Sequence, residues 1–451
     1  MTTFPEDFVW GAAAASYQIE GAVDVDGKGP SVWDKFCQRE AKIANGDRGD
    51  VACDHYHRYR EDVKLMAEIG LEAYRFSICW PRVLPAGRGK VNEKGLDFYD
   101  RLVDELLEGG IEPYITLFHW DYPYELYRRG GWLHPDSPEW FAEYTRVIMD
   151  RLSDRVDNWI TLNEPQVYTL LGHKVGNHAP GLKLGMDEVL QVAHNSLLAH
   201  GRAAEVIRDA PGENRIGIAP CMAGPVPSTG LAGREDLLAG EIFAVDNLWD
   251  VSWWIDPLVF GNYPADGRKK YAEIMPDVRP GDMELISGNL DFLGVNIYYG
   301  PVLELNERGE VEEGEYKTGI TRTAFDWPIT PESLYWGPKL LYNRYDLPII
   351  VTENGMSNTD CVSLDGEVHD PQRIDFLHRY LSEYKRAAEH GVEIKGYFQW
   401  SIMDNFEWAE GYKERFGLIY VDYETGERII KDSGYWYREV IETNGELLES
   451  R

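Results

Sequence analysis

The chain has 451 residues, of which 43 % are hydrophobic and 13 % aromatic, material for a large core that excludes general disorder. Its 77 acidic residues outnumber 45 basic ones, giving a formal net charge of −32. A field of that sign excludes nucleic acid and anionic membrane surfaces as partners, since both demand basic patches.

Five scattered cysteines, Cys37, Cys53, Cys79, Cys221 and Cys361, form no Cys-x-x-Cys pair, the pattern of reduced thiols rather than of a disulfide framework. The opening ten residues lack a basic region followed by an apolar run, and no later stretch offers about 18 uncharged apolar residues. The expectation is a cytoplasmic protein that does not span a membrane.

Taken in chain order, apolar, β-branched or aromatic runs fall at residues 8–13, 73–78, 113–118, 158–162, 215–220, 292–297, 349–352 and 395–399. Helical patterns separate them. The clearest lie at 57–70, where Val63, Met66, Ala67 and Ile69 recur at near-helical spacing ahead of a capping Gly70, and at 139–152, 189–207 and 370–390. Eight strands alternating with helices predict an α/β chain whose parallel sheet closes as a (β/α)8 TIM barrel with long loop insertions at the C-terminal face. No linker or composition shift divides the sequence, so residues 1–451 read as one domain. Residues 21–54 and 301–328 are the longest irregular stretches, and the acidic patch at 307–315 reads as a solvated loop or hairpin.

Two of the strands deliver a glutamate to their carboxyl ends, where parallel barrels gather their functional groups. Segment 159–165, Trp-Ile-Thr-Leu-Asn-Glu-Pro, ends in Asn163 and Glu164 before a proline; segment 349–355, Ile-Ile-Val-Thr-Glu-Asn-Gly, delivers Glu353 ahead of Gly355, which lets the chain turn away. Paired carboxyl groups are what glycoside hydrolysis requires, one protonated to assist the leaving oxygen and one ionised. His55 and His57 are not a metal pair, because a spacing of two points them to different faces. No metal or other cofactor is expected.

These two segments resemble the catalytic signatures of glycoside hydrolase family 1, the β-glucosidase family. The resemblance extends over nearly the whole chain, through segment 8–21, segment 74–78 (Tyr-Arg-Phe-Ser-Ile), segment 117–121 (Leu-Phe-His-Trp-Asp) and segment 400–408 (Trp-Ser-Ile-Met-Asp-Asn-Phe-Glu-Trp). It implies a retaining, exo-acting β-glucosidase that needs no cofactor and takes small β-glucosides, with Glu164 as general acid/base and Glu353 as nucleophile. Hydrolysis and transglycosylation are both open.

By the same resemblance Gln18, His119, Asn163 and Glu407 bind sugar hydroxyls, Trp120, Trp400 and Trp408 form an apolar wall, and Asn296 and Tyr298 line the pocket, Tyr298 donating to the nucleophile. Arg75 is the candidate cation beside Glu353. In a retaining enzyme the two carboxyl groups stand about 5–5.5 Å apart. Retention of Glu407 argues against 6-phosphosugars. Where relatives often carry tryptophan, leucine and serine, this chain has Gln166, Tyr122 and Cys79. Gln166 is thus expected on the aglycone side, as a polar replacement, and Trp327 reads either as an aglycone-stacking residue or as a loop anchor.

Overall fold

The computed structural model describes residues 3–449, leaving Met1 and Thr2 of the opening segment and the last two residues outside the description. Eight parallel strands, β1 (Val9–Ala14), β2 (Ala73–Ser77), β3 (Glu112–Phe118), β4 (Asn158–Asn163), β5 (Arg215–Ala219), β6 (Leu293–Asn296), β7 (Ile349–Asn354) and β8 (Ile394–Trp400), form one curved sheet. Strands β2, β4, β6 and β7 are buried at every position. Strands covered on both faces read as continuous apolar runs, which is why they stood out in the sequence.

The pairing order is β5–β4–β3–β2–β1–β8–β7–β6. Between β5 and β6 the ladder is reduced to bonds at its two ends: Asp291 N donates to Ile216 O at 2.8 Å, and Asn296 N to Pro220 O at 3.0 Å. Phe292 fills the gap against Gly217, where an added Cβ would meet its ring at 2.2 Å. The barrel is therefore nearly closed, with one loose seam.

Helices α1 (His55–Ile69), α2 (Glu93–Glu108), α3 (Ser137–Leu152), α4 (Met186–Asp209), α5 (Ser333–Tyr345), α6 (Pro371–Glu389) and α7 (Asp432–Glu442) wrap the outside. Gly70 ends α1 in the left-handed region (φ 79°), as glycine at that cap should. His55 is buried against Asp62 while His57 is exposed against Asp54, so the two imidazoles do diverge. Among the described residues no helix is long and apolar enough to cross a membrane.

The first irregular stretch holds more structure than expected, and the second holds the hairpin that was one of its two readings. Residues 21–54 contain the helix Val32–Phe36, started by a capping box in which Ser31 Oγ accepts from Asp34 N at 3.1 Å and Asp34 Oδ2 accepts from Ser31 N at 2.6 Å. The acidic patch forms an antiparallel hairpin, Val302–Leu305 against Val311–Glu313. Both reach the mouth of the barrel.

Candidate active site

Strand β4 runs out at Asn163, and Glu164 N makes one last bond to Ala219 O at 2.7 Å. The chain then turns sharply. Glu164 has φ 42°, a left-handed conformation costly for a side-chain-bearing residue, and Pro165 starts a helical turn immediately after it. Trp120 (φ 77°) and Trp408 (φ 45°) share that strain. Conformations of this kind, about 1–3 kcal/mol each, persist where surrounding packing dictates them, and they cluster at functional sites.

Glu353 is still inside β7, paired beside Asn296 of β6. Gly355 follows it for a reason other than the turn anticipated from sequence: its φ lies outside the left-handed region, but an added Cβ would come within 1.8 Å of Trp400 O. Glycine is required there for close backbone approach.

The two carboxyl groups are buried at 8 % and 3 % exposure, and they keep unlike company. Glu353 Oε1 accepts from Arg75 Nη1 at 2.6 Å and Oε2 from Tyr298 Oη at 2.7 Å. Burial raises its pKa while Arg75 and Tyr298 oppose the rise. Glu164 has no cation at contact; Oε1 accepts only from Asn296 Nδ2 at 2.9 Å. Burial first, and the charge of Glu353 second, push its carboxyl up to about 8.

Arg75 is the keystone of the polar layer. Besides Glu353 its guanidinium donates to Thr116 Oγ1 (3.1 Å), Thr352 O (3.0 Å) and Asn163 Oδ1 (2.6 Å), so one side chain of β2 ties β3, β4 and β7. Because Asn163 Oδ1 accepts from Arg75 and Asn296, its Nδ2 is the donor to His119 Nε2 at 3.0 Å. Burial and the nearby Arg75 hold His119 well below its ordinary pKa, which leaves a neutral ring with its proton on Nδ1. Asn296 is held in turn by Thr352 Oγ1, which donates to its Oδ1 at 2.7 Å.

These groups surround a cavity of about 760 Å3 lined by Glu164, Glu353, His119, Trp120, Asn296, Tyr298, Trp327, Trp400, Glu407 and Trp408, among others. His119 stacks within 5.8 Å of Trp400 and 5.9 Å of Trp408, and Trp408 rests on Trp33 at 4.6 Å. Glu407 Oε2 accepts from Gln18 Nε2 at 3.2 Å. Burial and then Glu353 raise Glu407 to about 8.

Gln18, Asn163 and Arg75 are fully buried against the lining side chains, Gln18 on Glu407, Asn163 on Asn296 and Arg75 on Glu353. Gln18 Oε1 has no protein partner there, an acceptor suited to a hydroxyl. Gln166 departs from its expected place on the aglycone side. Its amide is buried and used up on Cys221, Nε2 donating to the carbonyl at 2.9 Å and Oε1 accepting from the backbone N–H at 3.3 Å. Trp327 anchors its loop against Phe325 (4.5 Å) and also lines the cavity beside Tyr298 (5.2 Å).

Sequence reasoning missed Trp33, which supports the cavity from the short helix Val32–Phe36, and Met222, Trp249, Phe325 and Phe416, which line it from loops. The capping box ahead of Trp33 was a readable signal; the others carried none.

The chain matches the model of "Glycosyl hydrolase family 1" over residues 1–446. It is 46 % identical to a β-glucosidase A of Acetivibrio thermocellus, over 98 % of this chain and 99 % of that one. It is 40 % identical to an aryl-phospho-β-D-glucosidase of Bacillus subtilis, over 99 % and 98 %. Among solved structures, a β-glucosidase from Thermotoga maritima in complex with glucoimidazole shares 44 % identity and superposes with a TM-score of 0.91 over 99 % of this chain and 100 % of that one. Family model, relatives and barrel agree: the chain belongs to glycosyl hydrolase family 1.

Proposed function

We propose that this protein is a retaining, exo-acting β-glucosidase working as one catalytic domain, with Glu164 as general acid/base and Glu353 as nucleophile. The observation that carries the reading is the asymmetry of the buried pair: Glu353 is held by a cation and a phenol, Glu164 by one amide. That difference keeps one carboxylate charged and the other protonated near neutral pH. Asn296 lies beside both carboxyl groups, which supports the short separation of a retaining pair rather than one with room for water between.

In the first step Glu353 attacks the anomeric carbon while Glu164 gives its proton to the departing glycosidic oxygen. Once Glu353 is esterified its negative charge is gone. One of the two causes raising the pKa of Glu164 disappears with it, so the same residue is poised to take a proton from water in the second step. A sugar or alcohol arriving in place of water gives transglycosylation by the same route.

Glu407 sits in the same cavity and carries a third acid. Its carboxyl suits sugar hydroxyls, and the cavity lining offers no lysine or arginine to a 6-phosphate, so unphosphorylated β-glucosides and cello-oligosaccharides are the proposed substrates, with β-galactosides and β-fucosides as secondary ones. The five cysteines are all unpaired, in keeping with a cytoplasmic setting.

The test is a set of initial rates on aryl β-glucoside, β-galactoside and 6-phospho-β-glucoside, for the parent and Glu353→Ala, with the first-formed anomer read by NMR. Fast release of β-glucose that vanishes in the variant is expected. An α-anomer, or a preference for the phosphorylated substrate, refutes the assignment.

A further inference from the structure

The outer half of the cavity carries its own chemistry. Trp249, 41 % exposed, and the half-buried Trp327 line it, with Phe416 buried among the lining residues. The same cavity is lined by the carboxylates Glu241 and Glu313, both exposed, and Asp250 and Glu410, both half-buried. No lysine or arginine is among the lining residues.

The acids come from four separate segments: the helix Glu235–Ile242, the N-cap of the helix Val251–Phe260, the hairpin strand Val311–Glu313 and the short helix Trp408–Glu410. Asp250 also holds its own turn, Oδ2 accepting from Asp246 N and Asn247 N, each at 2.7 Å. Glu410 is offset by Lys413 at 3.4 Å. Glu241 and Glu313 make no ion pair among the described residues.

Aromatic faces and carboxylates recognise the same kind of group. The negative face of an indole attracts a cation through its quadrupole, and a carboxylate attracts it through charge. An anionic group meets repulsion from both. An apolar stem fits the rings whatever its charge.

From this convergence we infer that the mouth of the cavity is an aglycone subsite selective for charge, favouring aryl aglycones that carry an ammonium group and rejecting those that carry a carboxylate, sulfonate or phosphate. The inference rests on the β-glucosidase reading and names the class of substrate that reading leaves open. Sugar recognition is done by the inner groups, and the mouth selects on what the sugar is attached to.

The test uses three β-glucosides of 4-substituted phenols bearing trimethylammoniomethyl, hydroxymethyl or sulfomethyl groups. The methylene insulates the phenol from the charge, keeping leaving-group acidity nearly matched. The quantity read is the ratio of kcat/KM for the cationic and anionic substrates, which cancels any loss common to both. At low ionic strength this ratio should be about tenfold or more, and it should fall severalfold when salt shortens the screening length to about 4 Å.

In Glu241→Gln/Glu313→Gln/Glu410→Gln the low-salt ratio should drop at least about fivefold; Asp250 is left in place because it holds a turn. The salt series on the parent stands on its own if the triple variant does not fold. A ratio near one in the parent overturns the inference while leaving the β-glucosidase reading intact. A ratio unchanged in the folded triple variant also overturns it, assigning the preference to the protein's overall charge. Failure to cleave even the hydroxymethyl substrate removes the parent reading and this inference together.

Discussion

Replacing Glu164 by glutamine should make the protein more stable while disabling it. The carboxyl of Glu164 is raised from 4.5 to about 8 by burial and by Glu353. An unfolded chain ionises it freely above pH 4.5, so at pH 7 the folded state forgoes about 1.36 kcal/mol for each of 2.5 pH units, on the order of 3 kcal/mol. The sign follows from the direction of the shift. For a carboxyl whose folded pKa is raised, this penalty is absent below the unfolded value and grows as pH rises toward the folded one. Glutamine keeps the shape, and its Oε1 can still accept from Asn296. Glu164→Gln should therefore gain on the order of 3 kcal/mol at pH 7, or about 3 °C in Tm for a chain of this length. The gain should shrink to almost nothing near pH 4.5. Paired denaturation curves for parent and variant at several pH values provide the assay, since their difference removes the pH response of all other groups. An equal gain at every pH, or none at pH 7, refutes the reasoning.

Glu353→Leu should act in the opposite sense, costing about 3 kcal/mol by leaving the buried guanidinium of Arg75 without its anion, as read by the same denaturation curves. Tyr298→Phe removes one of the donors that hold Glu353 ionised; a charge-assisted bond of about 1.5–3 kcal/mol corresponds to about 1–2 pH units. The acidic limb of the kcat/KM profile should move up by that amount, with the alkaline limb displaced less. Gly355→Ala drives a methyl group into Trp400 O and should raise KM for β-glucosides at least tenfold by displacing the wall, a change visible in Michaelis–Menten curves and in tryptophan fluorescence.

Much of this arrangement could be read from the residues. The eight strands emerged because both faces of a parallel barrel are covered, giving mainly apolar or β-branched runs such as 158–162 and 349–352. Glu164 and Glu353 stood out because each follows such a run. What the sequence could not convey was depth and orientation. Gln166 looks like a polar wall residue, yet its amide is spent on Cys221 backbone, a pairing that depends on where β5 ends. Gly355 suggests a turn, but its need is clearance from Trp400, a residue 45 positions away on β8. Trp249, Phe325 and Phe416 reach the cavity from loops whose paths no periodicity specifies.

The loose seam between β5 and β6 has a bearing on how the gene could be rearranged. The continuous run of ladder bonds passes through the β1–β8 pair, the first strand against the last, and Phe4 N lies 3.0 Å from Asn444 O. The weakest joint thus falls between strands that are neighbours in sequence, while the strands farthest apart in sequence are firmly welded. Joining the chain near Asn444 to the chain near Phe4 by a short peptide and opening a new pair of termini in the 220–291 connection would cut the ring where it is already nearly open. Such a permuted chain keeps β6, β7 and β8 contiguous with β1 to β5 and carries Glu353 ahead of Glu164, the same pocket encoded in reverse order.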